Sequence, residues 1–303
     1  MNAEPRGVCV VDNNVQMKHR PAILEPGPDA FLANDPEPAV RPPRWIAHDY
    51  VDIYFKDFHP TWPFLHRGTF DLSTEPCVLI QSIAMMGLWM EGSPKSQDAA
   101  MDFHNSLCSA IRTQMDRWQI SDMTPRTSWP IPTYQSILLQ IIFALFRAGK
   151  RGALDLNFRY LIEPDVYELL VALARSCRLG GIFSYPNMIT HHSAITTPAL
   201  LWVSVEEIKR FGLALYKVCR MTTCVESAGT HADEDRSELL TLEDLCFGLP
   251  DSDEVWNSPP GTGMEVLEKI ASQTKLRDNL DPTRWISQSS SVLYDGGIKF
   301  DWI

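Results

Sequence analysis

The sequence predicts an all-α protein, an irregular bundle of about seven to eight helices. Three observations carry that expectation. Apolar residues recur three or four positions apart over several stretches of helical length. Serine, threonine or proline at one end of these stretches and glycine at the other supply helix-start and helix-stop chemistry. No alternating apolar and polar run marks a strand, and no tandem repeat marks a solenoid.

Residues 1–43 contain Pro21, Pro26, Pro28, Pro36, Pro38, Pro42 and Pro43 with no apolar period, and read as disordered or linker. A helical domain is expected over 44–280 and an irregular tail over 281–303. The first helix carries Ile46, Tyr50, Ile53, Tyr54 and Phe58 on one side, with Asp49, Asp52, Lys56 and Asp57 on the other. His59-Pro60 ends it, because the residue before a proline is pushed out of the α region. Trp62-Pro63-Phe64-Leu65-His66 then forms an extended aromatic corner. So much apolar surface in a turn calls for cover, which makes the corner a docking point for the rest of the chain.

Pro76 opens a helix, apolar on almost all sides, that runs to about Met90 and breaks at Gly92. Residues 96–118 follow, with Phe103, Leu107, Ile111, Met115 and Trp118 in one stripe. Thr133 is placed to cap a helix through Ile137, Leu138, Ile141, Ile142, Leu145 and Phe146, ended by Gly149. Residues 154–162 read as helical, and Pro164 sits in the first turn of a helix over 165–179 closed by Gly180-Gly181. Residues 185–198 read as a loop holding His191-His192. Ser204 and Glu207 read as a capping box, with Val203 stapled onto Ile208, opening a helix to about Thr223. One more helix is expected over 264–276.

At 303 residues, 45% hydrophobic and 21% charged, the chain has an ordinary globular composition. It has no stretch of about 18 uninterrupted apolar residues, and its first 30 residues are not a secretory signal. Seven cysteines, Cys77, Cys108, Cys177 and Cys219 among them in apolar runs, lack regular spacing, which argues against a disulfide framework and suits a reducing compartment. The net charge of −11 is uneven: residues 226–303 hold 16 acidic and 6 basic side chains, against 16 and 18 in residues 41–225. Such a tail repels phosphate, and Arg147 with Lys150-Arg151 is too small a cluster to offset it. Direct DNA binding by this chain and a membrane partner are therefore disfavoured.

A helix ending Tyr54-Phe55-Lys56-Asp57-Phe58-His59-Pro60-Thr61-Trp62-Pro63-Phe64-Leu65-His66 resembles the start of the fungal-specific transcription factor domain. That domain is the middle homology region of fungal zinc-cluster and zinc-finger regulators. A second stretch, containing Leu249-Pro250 and Trp256, is similar to the Leu-Pro-x(n)-Trp segment late in the same domain. The resemblance covers roughly residues 45–260, and its signature residues are His59, Pro60, Trp62, Pro63, Phe64, His66, Leu249, Pro250 and Trp256. It implies an all-helical regulatory domain of a transcription regulator acting in the nucleus on a nutrient or secondary-metabolite gene set. It also implies partners in the transcription machinery or a DNA-binding partner protein, with a homodimer as one option.

A DNA-reading zinc module needs closely spaced cysteine pairs, and no Cys-x-x-Cys occurs; Cys219, Cys224 and His231 do not make a finger. No cofactor is expected in this chain, zinc entering only with a separate N-terminal module, and a truncated gene product fits the same facts. His191-His192 lacks the acidic residue of a paired-histidine acyltransferase, since Ser193-Ala194-Ile195-Thr196-Thr197 follows. Asp233-Glu234-Asp235 is a dense acidic run of the sort that holds magnesium in all-α prenyl enzymes, but reads as a solvated loop. The residues thus favour a non-enzyme, with an all-α enzyme of small-molecule metabolism as the alternative. Leu240, Leu242, Leu245, Phe247 and Leu249 interleaved with Glu243, Asp244, Asp251, Asp253 and Glu254 read as a structured acidic edge.

Overall fold

The computed structural model describes residues 43–120, 129–155, 158–192, 197–225, 238–257 and 281–288, with side chains from His48 onward. The expectations for residues 1–42, Asp233-Glu234-Asp235, residues 264–276 and most of the tail lie outside the described residues. Among the described residues the helices are α1 (Pro43–Ile53), α2 (Cys77–Glu91), α3 (Pro94–Thr113), α4 (Met115–Trp118), α5 (Ile131–Arg151), α6 (Pro164–Leu179), α7 (Tyr185–His191), α8 (Pro198–Met221) and α9 (Asp253–Trp256). The fold is all-α, with one small sheet among the described residues, which form two compact units.

Of the described residues, the first unit holds 43–60, 71–118 and 130–147. α1 runs into a π turn, Tyr54–Phe58, and its buried stripe is Val51, Tyr54, Phe55 and Phe58; Tyr50 and Ile53 are half-buried. α2 is buried on all sides from Cys77 to Leu88 and stops at Gly92, whose φ is 86°. Gly87 is where α1 meets α2. A Cβ there would run into the Tyr50 carbonyl, so the close approach requires glycine.

The single helix expected over 96–118 is two. Gln114 (φ −106°, ψ 19°) breaks it, because the Ile111 carbonyl accepts from Gln114 N–H and from the Trp118 indole at 2.9 Å. Trp118 is thereby turned inward, where Tyr134 Oη donates to its carbonyl at 2.9 Å. Within this unit a buried polar chain runs His104 Nδ1 to Gln140 Oε1 (2.8 Å), then Gln140 Nε2 to Ser82 Oγ (3.0 Å), which donates to the Val78 carbonyl. α5 starts two residues before Thr133 and continues past Gly149, ending at Gly152 with φ 64°. By length and composition alone it could cross a membrane, but 78% of that window is buried, as in a core helix.

The second unit holds the described residues of 61–70, 119–129 and 148–288. Of the residues expected to be helical over 154–162, the described ones, 154–155 and 158–162, are not. Asp155 accepts from Arg159 N–H (2.8 Å) and Arg159 Nε (2.7 Å), and Leu161 N–H donates to the Ala153 carbonyl. Strand β1 (Tyr160–Ile162) pairs in parallel with β2 (Thr222–Cys224), Leu161 opposite Thr223. Three residues per strand are too few for an alternating pattern to show in the sequence. α6 has Pro164 in its first turn, as expected, while the loop expected over 185–198 opens with α7. α8 begins at Pro198 behind Thr197, so Ser204 and Glu207 lie inside a helix and cap nothing.

Candidate functional site

α8 is the longest described helix, and its middle carries four charged residues, Glu206, Glu207, Lys209 and Arg210. Three of them are almost fully buried: Glu206 at 1%, Lys209 at 2% and Arg210 at 1% exposure. Charge is retained inside a protein only when each group finds a partner, and here each does. Glu206 accepts from Lys209 Nζ at 2.7 Å and from Asp251 N–H at 2.8 Å. Arg210 reaches Asp253 Oδ1 and the Asp251 carbonyl, both at 2.6 Å. Glu207 accepts the N–H of His66 at 2.7 Å. Neighbouring carboxylates of one helix thus anchor two distant backbones, that of the aromatic corner and that of the Leu249-Pro250 segment.

An aromatic cluster closes over these charges. His66 packs on Trp256 (ring centroids 4.7 Å apart) and on Trp202 (6.0 Å), and the two indoles lie 6.1 Å apart edge to face. Trp202 Nε1 donates to Asp251 Oδ2 at 2.7 Å, and the Arg210 guanidinium lies 4.7 Å over the Trp256 ring. Ala199 and Val203 of α8 belong to the same buried cluster as the two indoles. Burial, with the Arg210 cation adding to it, holds His66 down at about 4, so the ring is neutral at pH 7. Burial and then the Glu206 and Asp251 carboxylates push Tyr185 up to about 12, below the Lys209 ammonium 5.8 Å from its ring.

Trp62 is 4% exposed with the Lys217 ammonium 4.7 Å over its ring; Pro63 is buried, and Phe64, at 0%, meets Phe211 edge-on at 6.4 Å. Pro250 is buried and Leu249 half-buried. His59, in the first unit, is buried and donates its N–H to the Tyr54 carbonyl at 2.9 Å, while Pro60 is exposed. The structure therefore brings His66 and Trp256 into ring contact and adds Trp202, Glu206, Lys209 and Arg210, while Glu207, Asp251 and Asp253 take partners that the capping-box and acidic-edge readings did not give them. A Glu-Glu-x-Lys-Arg block inside an apolar helix is an unusual signal, but Ser204-x-x-Glu207 also has the spacing of a capping box. Among the described residues no group of three His, Cys, Asp or Glu side chains could hold a metal ion. Cys219 and Cys224 are buried free thiols. His191 stacks flat on Trp129 at 4.1 Å.

Compared with known proteins, the chain matches the fungal specific transcription factor domain over residues 51–278, well over half its length. This chain belongs to that family. The family match takes in both the aromatic corner and the Leu-Pro-x(n)-Trp segment, and runs further toward the C-terminus than the resemblance over 45–260. Zinc finger protein klf1 of Schizosaccharomyces pombe is 36% identical over 99 residues, 33% of this chain and 11% of that protein. Zinc finger protein zas1 of the same organism is 25% identical over 183 residues, 58% of this chain and 18% of the relative. A transcription factor of Gibberella fujikuroi is 23% identical over 231 residues, 75% of this chain and 27% of the relative. The chain thus spans roughly a tenth to a quarter of the length of these family relatives. No solved structure matches it.

Proposed function

We propose that this chain is the regulatory part of a fungal transcription regulator, acting in the nucleus through protein contacts and not by reading DNA itself. The observation that carries the reading is the family match over residues 51–278. Relatives named as zinc finger proteins and a transcription factor support it. The geometry agrees with a non-enzymatic role, because the buried charges of α8 are spent on joining chain segments. The domain limits 44–280, flanked by a linker over 1–43 and a tail over 281–303, belong to the same proposal. So do the nine signature residues as structural elements, and zinc as the property of a separate module.

The test is to fuse the chain to a heterologous DNA-binding domain and measure a reporter carrying its operator. A change of at least about threefold in either direction supports a regulatory role; no change for a stably expressed nuclear fusion overturns it. In parallel, the purified chain should leave DNA unretained at about 150 mM salt, as its acid excess demands. Sequence-selective retention would overturn the division of labour.

A further inference from the structure

A cavity of about 680 Å³ opens beside the last turns of α8. Tyr216, Cys219 and Arg220 form one wall, and the segment from Leu239 to Glu243 forms the other. Its accessible apolar surface comes from the half-buried Tyr216 and Leu242, with Leu239 and Leu240 packed away at 4% and 2% exposure. Burial pushes the Cys219 thiol up to about 12, so it stays protonated at pH 7 and is no nucleophile for a covalent ligand.

Among the described residues the rim carries one charge of each sign, Arg220 and Glu243, both exposed. They form no ion pair with each other or with another described residue. The neighbouring Asp244, by contrast, is committed, to Arg178 at 3.2 Å and to the Thr241 N–H and hydroxyl. A cavity with accessible apolar surface, one available cation and one available anion selects a small molecule with the complementary three features. A purely anionic amphiphile would be repelled by Glu243, and a purely cationic one by Arg220.

We propose that this cavity binds a free α-amino acid with an apolar side chain. Its carboxylate faces Arg220, its ammonium faces Glu243, and its side chain lies against Tyr216 and Leu242. This names the chemical class of an effector for the regulatory reading above. Its test is binding to the purified chain, which succeeds or fails whether or not the chain regulates transcription.

Isothermal titration of the full chain with L-leucine and L-phenylalanine should give saturable binding with Kd on the order of 0.1–1 mM, as suits about ten heavy atoms. N-acetyl-L-phenylalanine, which lacks the ammonium, and L-phenylalaninamide, which lacks the carboxylate, should each bind at least about tenfold more weakly. Arg220→Gln and Glu243→Gln should each show a similar loss with unchanged melting temperature, since both side chains are exposed, whereas Arg220→Lys should stay within about threefold of the parent. No saturable binding of either amino acid up to about 10 mM overturns the proposal. So does equal affinity for the blocked derivatives, a comparison that needs no variant to fold.

Discussion

Replacing Glu206 by alanine removes the carboxylate that holds both Lys209 Nζ and Asp251 N–H. Lys209 is 2% exposed, so its ammonium would be left in the interior without its anion. Breaking a buried pair from one side costs about 3–5 kcal/mol. Against a typical total of about 5–15 kcal/mol, that is a large share of the fold's stability. Glu206→Gln keeps an oxygen for Asp251 N–H and should cost less, about 2–3 kcal/mol, the penalty of one charged hydrogen bond.

Urea unfolding followed by tryptophan fluorescence at pH 7 measures these losses, Trp202 and Trp256 standing beside the network as reporters. The double replacement Glu206→Gln with Lys209→Met removes both charges together. It should be less destabilised than the sum of the single variants by about 1–3 kcal/mol, because the cost of a lone buried ion is no longer incurred. A loss under about 1 kcal/mol for Glu206→Ala, or strict additivity in the cycle, would refute the account of α8 as a helix whose charges are buried and mutually dependent.

Trp62→Ala should cost about 3–5 kcal/mol in the same assay, since the indole is 4% exposed, and a cost under about 1 kcal/mol would mean the corner is a surface feature. Gly87→Ala should cost about 3 kcal/mol, or prevent folding, because the new methyl group meets the Tyr50 carbonyl; a neutral result would mean that α1 does not cross α2 there. His66 and His104 are both held at about 4, below the ordinary histidine value of 6.5, so the unfolded chain binds more protons than the folded one between those limits. Their stabilisation is complete above pH 6.5 and falls as the pH drops toward 4, by at most about 3 kcal/mol for each ring. His66→Phe should flatten that slope in midpoint-against-pH curves, and an unchanged slope would place the acid sensitivity elsewhere.

Much of the helical frame was legible because its determinants are local. Pro76 with Gly92 bounds α2 and Pro164 with Gly180 bounds α6, and each signal acts within a turn of itself. The burial of Trp62 and Phe64 was legible for a different reason: that much ring surface between prolines has no stable exposed arrangement. Where two apolar stripes overlapped, periodicity alone could not choose. Tyr54 and Phe58 fit one stripe with Tyr50 and Ile53 and another with Val51 and Phe55, and packing against the rest of the unit selected the second.

The site itself was only half legible, and Glu207 shows why. Ser204-x-x-Glu207 has the spacing of a capping box, whose physics is entirely local. The partner the carboxylate takes is the N–H of His66, 141 residues away, and no pattern within α8 encodes that. The same holds for Glu206, whose partner Asp251 arrives from the other direction along the chain. A segment that makes a proline turn cannot satisfy all its own N–H groups, so His66 and Asp251 each bring a donor needing an acceptor. Adjacent glutamates on one helix supply both acceptors. The charge block of α8 and the two signature segments are therefore parts of one requirement: two irregular, ring-bearing turns can be buried only if a helix between them carries the anions to receive them.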